Sequence, residues 1–240
     1  MKSMCMVFVC LFLLCSVLSI PAAVLAGGPG SMMDDTREGD AMASAVDTIR
    51  LPAVPAKGVV SIEEAIWLRR SVRGFSEEIP STDAVSRLLW AAQGITDAKN
   101  GLRSAPSAGA TYPLEIFLAT GEYVARYVPE KHCLVVTMRE DMRKALVAAA
   151  LDQDWFAKAP LVFIFAAVVK RTAERYDERA NLYVPIEVGC ASENLMLEAA
   201  ALGLGSVAVG AFSEKEVRKT LQLPKGWDPY LIVPVGVPSK

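Results

Sequence analysis

The pattern of hydrophobic and polar positions divides this chain of 240 residues into three parts. Residues 4–20 are almost unbrokenly apolar. Residues 27–55 are rich in Gly, Asp, Ser, Met and Pro without lasting periodicity, which is typical of a linker. From residue 56 to 240 periodic segments follow one another, so we predict a single folded domain of about 185 residues.

Five stretches of the domain have helical patterns. Ser61 with Glu64 forms a capping box that begins a helix running through Arg70. A second helix begins at residue 82, has apolar residues at helical spacing, and ends at Gly94. The remaining predicted helices span residues 141–151, 186–202 and 213–221.

Apolar stretches without helical spacing predict the strands. The segments EYVARYV and HCLVVTM flank a Pro-Glu-Lys turn, which indicates a hairpin. APLVFIFAAVV (159–169) is continuously apolar, as in a strand buried on both faces. Three more strands are predicted in LEIFLAT (114–120), SVAVGAF (206–212) and YLIVPVGV (230–237). Helices and strands mix without regular β-α-β alternation, so we predict a layered α+β domain.

The N-terminal segment has the layout of a secretory signal peptide spanning residues 1–26. Lys2 precedes the apolar run, and Val24-Leu25-Ala26 places small residues at positions minus three and minus one of a cleavage site. We therefore predict an exported, periplasmic protein. The alternative is a protein anchored by an uncleaved segment, because the run approaches the ~18–20 residues that span a bilayer.

Composition excludes several functional classes. The formal net charge of −2 is not basic enough to predict nucleic-acid binding. The single histidine, His132, has no cluster of carboxylates or cysteines around it in the sequence, so no metal site is predicted. A Ser-His-Asp hydrolase would need the same histidine, and the chain has no G-x-S-x-G turn. Outside the signal segment, Cys133 and Cys190 are predicted to be isolated buried thiols, with a disulfide as the alternative.

The segment RRSVRGF (69–75) places three guanidinium groups around one serine, where the first helix gives way to a loop. Guanidinium forks match phosphate oxygens, and the hydroxyl adds a donor. The candidate phosphate ligands are Arg69, Arg70, Ser71 and Arg73. The alternative is a solvated basic helix end that complements the helix dipole. The P-loop and Rossmann glycine motifs are absent from the sequence.

A second candidate is a loop of small residues that leads into a predicted strand, RSAPSAGATYPLEIFLAT (103–120). Backbone donors without bulky side chains suit a loop that lies against a flat ring system. The alternative is an ordinary small-residue loop. The residues concerned are Pro106, Ser107, Ala108 and Gly109.

With these segments the chain resembles the nitroreductase superfamily of FMN-dependent oxidoreductases, and most closely its SagB-type dehydrogenase branch. The resemblance runs from about residue 62 to 238, and its segments occur in the family's order. They are RRSVRGF, LLWAAQGIT (88–96), PSAGATYPLE (106–115), RTAERYDERA (171–180) and ENLMLEAAALGLGSVAVGAF (193–212). The resemblance implies a nitroreductase-like α+β fold, with a central mixed or antiparallel sheet flanked by helices, in a homodimer.

The resemblance also implies where FMN would bind, at the homodimer interface. The R-R-S-x-R segment would hold its phosphate and ribityl chain, and the loop 106–109 would lie near the isoalloxazine of the partner's flavin. A strand end would approach the ring edge around N5. That strand end comprises Val209, Gly210 and Ala211.

The segment TAERYDERA differs from that of azoline-oxidising relatives, in which a Lys-Tyr pair is thought to act as a base. Here the pair is Arg175-Tyr176. Arginine stays protonated near neutral pH and cannot act as that base. Tyr176 therefore remains the candidate catalytic residue, with an amphipathic wall residue as the alternative, and azoline oxidation is not favoured.

The function implied by the resemblance is a ping-pong hydride transfer through flavin N5, to a small organic acceptor or from a peptide-like substrate. The alternative is a flavin-binding dimeric module with reduced or no turnover. Apart from the N-terminal segment, no membrane contact is predicted.

Overall fold

The structure is a computed structural model and describes residues 47–239. The predicted signal peptide and most of the predicted linker lie outside the described residues. Within 47–239, no helix is both long enough and apolar enough to cross a membrane.

Nine strands are present among the described residues. They are β1 (Thr48–Arg50), β2 (Ile95–Asp97), β3 (Leu102–Arg103), β4 (Leu114–Ala119), β5 (Val124–Val128), β6 (Cys133–Met138), β7 (Leu161–Ala167), β8 (Gly205–Ser206) and β9 (Asp228–Gly236). Seven of them form one sheet in the order β1-β6-β5-β4-β7-β9-β8, and β2 pairs with β3 separately. Each neighbouring pair is antiparallel.

Six α-helices cover the two faces of the sheet. They are α1 (Ile62–Leu68), α2 (Thr82–Gln93), α3 (Arg143–Ala149), α4 (Val169–Tyr176), α5 (Ala180–Ala201) and α6 (Glu214–Thr220). Serine side chains cap α1, α2 and α6. Each accepts a hydrogen bond from the backbone amide of the third helical residue, as the sequence predicted for α1 and α6.

The central strand β7 is buried along its whole length and separates two apolar cores. Because side chains alternate across a strand, Phe163 and Phe165 join the core under α2 and α5. Val162 and Ile164 point the other way, into the core under α3 and α6. The prediction of a strand buried on both faces is therefore confirmed, and so is the α+β fold.

Several boundaries differ from the sequence prediction. Strand β1 lies inside the stretch assigned to the linker, because it pairs with β6. Helix α1 ends at Leu68, two residues before the predicted end. Helix α4 was not predicted, and α5 begins at Ala180 and continues through Pro185. The predicted strand at 206–212 is reduced to β8 and one bridge, between Val209 and Ile232.

The two cysteines of the described domain are free thiols, so the disulfide alternative is wrong. Cys133 is buried in β6, whereas Cys190 on α5 is only partly buried.

His132 is part of a buried structural network. Its Nε2 lies 2.7 Å from Ser86 Oγ and 3.0 Å from the Pro52 carbonyl oxygen, and its Nδ1 lies 2.9 Å from the Tyr127 hydroxyl. A carbonyl only accepts hydrogen bonds, so Nε2 carries the proton and Nδ1 accepts from Tyr127. Ser86 is 1% exposed, which leaves no access for a substrate to a serine nucleophile.

We predict that Tyr127→Phe lowers the free energy of unfolding by about 1–2 kcal/mol, because it removes the hydrogen bond from the buried Tyr127 hydroxyl to the partly buried His132 Nδ1. Urea denaturation at pH 7.5 measures the change. Tyr123→Phe is the matched control, since the Tyr123 hydroxyl has no hydrogen-bond partner within residues 47–239. Equal midpoints for the two variants would contradict the prediction.

Candidate functional site

The arginine segment 69–73 lies alongside strand β8. Helix α1 ends at Leu68. The amide of the next residue, Arg69, still donates to the Ala65 carbonyl, and the chain then extends. The Val72 amide donates to the Ser206 carbonyl at 3.0 Å, and Ser71 pairs with Ser206 in parallel. Two distant segments of the sequence, 69–73 and 205–211, are thus joined through the backbone.

A glycine makes this approach possible. A Cβ on Gly205 would lie 2.7 Å from the Val72 Cβ, which is closer than such atoms come in folded proteins. The small residue at 205 therefore lets the arginine segment pack directly against the strand.

The three arginines differ in their surroundings. Arg69 Nε lies 3.2 Å from Glu193 Oε1 on α5, and Arg70 donates to the Arg69 carbonyl at 2.7 Å. The Arg73 guanidinium lies 5.7 Å from the centre of the Trp155 ring. Within residues 47–239 neither Arg70 nor Arg73 has a carboxylate at ion-pair distance. The segment therefore keeps excess positive charge at the surface, where an anion has access.

The loop 106–109 has the tight backbone that its small residues suggested. A 3-10 turn covers Ala108–Ala110, and Gly109 has φ 59°. Ala110 and Tyr112 also have positive φ, at 55° and 44°. Such angles are unfavourable for residues with a side chain and persist where surrounding contacts hold them.

One of those contacts comes from Ser107, whose hydroxyl accepts a hydrogen bond from the Tyr112 amide at 2.9 Å. This bond closes the loop on itself. The geometry thus holds a compact turn of small side chains.

Helix α4 packs its last turn onto this loop. Arg175 donates to the Gly109 carbonyl at 2.9 Å, and a Cβ on Gly109 would lie 2.6 Å from the Tyr176 hydroxyl oxygen. The Tyr176 ring is half-buried and meets the edge of Tyr183 on α5 at 5.2 Å. Arg175 therefore anchors the loop, and Tyr176 presents its hydroxyl beside it.

The three residues of the predicted strand end, Val209 to Ala211, have different surroundings. Val209 is buried, and its amide and carbonyl both bond to Ile232. Gly210 is exposed, and a Cβ there would meet no atom within 4 Å. The Ala211 carbonyl accepts from the Gln153 side chain at 2.9 Å. Only Gly210 and Ala211 are thus open to a ligand, while the Val209 side chain packs in the core.

Helix α5 connects the two halves of the site. Glu193 pairs with Arg69, and Glu187, six residues earlier, faces Ser107 of the loop. Six helical residues span about 9 Å along the axis. The arginine segment and the loop 106–109 are therefore both held by one stretch of α5.

Glu187 is the residue of this region that the sequence analysis did not identify. It is 4% exposed, and burial raises its pKa to about 7, although Ser107, Arg103 and Gln93 act in the opposite direction. The available signal was a carboxylate within an apolar helical stretch between Val184 and Val188. Such a residue is rarely buried without a partner.

We predict that Gly109→Ala destabilises the protein more than Gly101→Ala does, by about 1–2 kcal/mol. Both glycines have positive φ, at 59° and 66°, so the backbone strain is matched. A Cβ at position 109 meets Tyr176 and Arg175, whereas one at 101 meets nothing within 4 Å. Thermal unfolding measures the difference, and indistinguishable melting temperatures would show that α4 does not constrain the loop.

Comparison with known proteins agrees with this architecture. The sequence profile of the Nitroreductase family matches residues 67–237. A protein of Methanocaldococcus jannaschii that is named as a nitroreductase is 40% identical over 194 residues, which cover 78% of this chain and 95% of the relative. A protein of Archaeoglobus fulgidus named as an NADH dehydrogenase/NAD(P)H nitroreductase is 27% identical over 178 residues, covering 72% of this chain and 83% of the relative.

Solved structures show the same fold. A nitroreductase-type structure from Ralstonia eutropha has a TM-score of 0.74 and 27% identity, and the match covers 80% of this chain and 90% of that one. The NADPH:FMN oxidoreductase from Vibrio harveyi, solved with NAD+, has a TM-score of 0.56 and 19% identity, with 75% and 69% of the two chains covered.

Proposed function

The chain belongs to the nitroreductase family, and from that premise we propose that it is an exported, homodimeric, FMN-dependent oxidoreductase of the SagB type. The observation that carries the proposal is the backbone pairing of Ser71 and Val72 with Ser206. This pairing joins the arginine segment to the stretch of chain that leads to Gly210 and Ala211. Arg73 also lies near Trp155, two residues after the Gln153 side chain that donates to the Ala211 carbonyl. These contacts support one surface with both cationic donors and a small-residue wall. Such a surface fits a ligand with an anionic tail and a flat ring.

The charge of the arginine segment matches a phosphate monoester. Three guanidiniums and one paired carboxylate, Glu193, leave about two positive charges beside the Ser71 hydroxyl. A phosphate monoester carries about −1.5 to −2 at pH 7. Arg70 and Arg73 would supply the donors that no carboxylate engages among the described residues, and Arg69 would be held in place by Glu193.

The remaining site residues would orient the ring and manage protons. FMN, when bound, supplies hydride transfer at its N5. Gly210 leaves open space at the strand end, and the loop 106–109 presents small side chains and backbone donors. The Tyr176 hydroxyl lies beside that loop and would hold or deliver a proton to substrate, which makes it the proposed catalytic group.

An exposed apolar surface supports the homodimer. Trp67 on α1 is 76% exposed, and Ile186 on α5 is 54% exposed. Further large apolar side chains on the same two contacting helices are exposed, namely Ile62, Ile66, Leu68 and Leu182. Contiguous apolar surface of this kind marks an interaction site. Because Trp67 lies two residues before Arg69, a subunit contact there would adjoin the phosphate site.

We infer two alternative substrate classes: a small organic acceptor, which would take a hydride from the reduced enzyme, or a peptide-like molecule, which would give a hydride to the oxidised enzyme. A second function has its own observation, which is that Arg175 is used to anchor Gly109 and cannot be a base. This observation favours a flavin-binding dimer with little turnover.

Electron transfer through bound FMN separates these two functions. The purified domain is loaded with FMN, reduced anaerobically with dithionite, and mixed with a nitroaromatic compound or a quinone. If the protein is an oxidoreductase, its reduced flavin should be reoxidised rapidly, at a rate that rises with acceptor concentration. Reduced flavin that reoxidises no faster than free FMN with every acceptor would support the non-catalytic dimer, and a protein that takes up no FMN would defeat both.

Export rests on the sequence of residues 1–26 and has a separate test. The intact mass of the protein recovered from a periplasmic fraction should correspond to a chain that begins at residue 27. A full-length mass in the membrane fraction would instead identify the segment as an anchor.

A further inference from the structure

A cluster of polar side chains is buried beneath the loop 106–112. It joins Glu187 on α5 to Gln93 at the end of α2, Arg103 on β3, and Ser107 on the loop. Gln93 and Glu187 are 1% and 4% exposed. Four polar atoms here have no hydrogen-bond partner within residues 47–239: Gln93 Nε2, Arg103 Nε, Ser104 Oγ and Glu187 Oε1. Unpaired buried polar atoms are uncommon, and a group of them indicates strain, a functional role or a bound water or ion.

The proposed function leaves this cluster unused, although it touches the loop directly. We propose that Glu187 is a positioning residue that acts through Ser107 and gives the loop 106–112 two geometries, one for each charge state of its carboxyl. The inference rests on the proposed function for its consequence, which is the binding of the FMN ring, but the loop motion itself can be measured without FMN.

Ser107 is the link that transmits the change. In the ionised state the Glu187 carboxylate only accepts hydrogen bonds, so it favours a Ser107 hydroxyl hydrogen that is turned toward it, while the Ser107 oxygen accepts from the Tyr112 amide. In the protonated state the carboxyl must itself donate. The nearby acceptors are the Ser107 oxygen and the Gln93 Oε1, which already accept from the Tyr112 amide and from Arg103, so the carboxyl proton takes the second lone pair of one of them.

Donation from the carboxyl to Ser107 turns the serine hydroxyl hydrogen away from Glu187 and changes the direction of the lone pairs on its oxygen. Protonation therefore disturbs the bond that closes the loop, between Tyr112 N and Ser107 Oγ at 2.9 Å. That bond helps to hold Tyr112 and Ala110 at positive φ. Weakening it frees the strained turn that would lie against the isoalloxazine.

Burial raises the pKa of Glu187 to about 7, with Ser107, Arg103 and Gln93 opposing the rise. The carboxyl therefore changes charge near neutral pH. Arg103 is the charged group that faces the carboxyl from β3, while Gln93 and Ser107 are neutral. On α5 itself, the titratable neighbours one turn away are Tyr183 and Cys190. Between pH 6 and pH 8 the protonated fraction of such a group falls about tenfold.

Amide hydrogen exchange of the FMN-free protein between pH 5.5 and 8.5 tests the inference. Protection of peptides covering 106–112, corrected for the intrinsic pH dependence of exchange, should rise with a midpoint near pH 7. Glu187→Gln, which mimics the neutral carboxyl, should remove the pH dependence, and Glu187→Asp should restore a titration with a shifted midpoint. Ser107→Ala should abolish the transmitted change.

Glu198→Gln is the matched control, because Glu198 lies on the same helix and pairs with Arg87 away from the loop. It should reproduce the wild-type profile. A wild-type profile without a transition, or one that persists in Glu187→Gln, would overturn the inference. A transition that Glu198→Gln also removes would show a general effect of α5 and would overturn it as well.

FMN affinity measured by flavin fluorescence at pH 6 and pH 8 separates this inference from the proposed function. Ionisation of the FMN phosphate, whose second pKa is about 6, affects both proteins alike, so the two are compared at each pH. Coupling predicts that the wild type and Glu187→Gln have similar Kd values at pH 6 and different values at pH 8. A loop transition in a protein that binds no FMN at either pH defeats the proposed function but supports the positioning role. FMN binding without a loop transition would support the proposed function and defeat the positioning role.

Discussion

The double substitution Arg69→Ala/Arg73→Ala is expected to weaken FMN binding by roughly 10²- to 10⁴-fold. Each charge-assisted hydrogen bond contributes about 1.5–3 kcal/mol, and each 1.4 kcal/mol corresponds to a factor of about ten. Loss of Arg69 also leaves the Glu193 carboxylate, now 3.2 Å from the Arg69 Nε, without its cation beside the proposed phosphate. Fluorescence titration of apoprotein with FMN gives the two dissociation constants.

The matched control is Arg139→Ala, which removes an equally charged but remote side chain that pairs with Asp47 at the surface. Its FMN affinity should stay within about twofold of the wild type, because exposed ion pairs contribute little. The dependence of FMN affinity on salt concentration gives a second readout. It should be weaker in the double variant, because two charged contacts with the phosphate are lost. An unchanged dissociation constant in the double variant would show that the phosphate binds elsewhere.

The second large effect concerns stability, and its sign follows from the raised pKa of Glu187. The unfolded chain ionises this carboxyl near 4.5, whereas burial holds the folded pKa at about 7. Between these values the folded state binds more protons, so stability falls as pH rises. The difference corresponds to about 3 kcal/mol once pH exceeds the folded pKa.

Glu187→Gln removes that cost. Its free energy of unfolding should match the wild type near pH 4.5 and exceed it by about 3 kcal/mol at pH 8.5. Urea denaturation across this range measures the divergence, and Glu198→Gln should show none. A variant that is equally stable at both ends of the range would mean that the carboxyl is not held away from water.

Much of the fold was predictable because local signals coincide with tertiary ones. The hairpin of β5 and β6 was found from two apolar segments around a Pro-containing turn, and the structure places them in antiparallel register. Strand β7 was found from an apolar run that both cores require. Helices α1 and α6 were found from their capping serines, Ser61 and Ser213, which bind amides three residues further on.

The missed elements depend on distant partners. Strand β1 has three residues and exists through its pairing with β6, more than eighty positions away. Helix α4 is short and highly charged, and it is held by Thr111 and Gly109 of the loop. Proline within α5 argued locally against a helix that begins at Ala180, yet packing of that helix into the core outweighs the lost hydrogen bond.

The site shows the same division. Each segment that carries the family resemblance could be recognised from the sequence, but the contacts between these segments could not be predicted. Ser71 meets Ser206 and Arg175 meets Gly109 only in the folded chain. No local pattern indicates that Arg175 anchors a loop. The position of Glu187 between Val184 and Val188 indicates burial, but not that the loop lies above it.

A crystal structure of the FMN-loaded protein would show where the phosphate and the ring bind. We expect phosphate oxygens about 2.7–2.9 Å from guanidinium nitrogens of the segment 69–73, with Gly210 along the ring. We also expect the loop 106–109 of a second copy against the same flavin. FMN bound away from this segment, with the three arginines facing solvent and no second copy at the site, would contradict the proposed binding site.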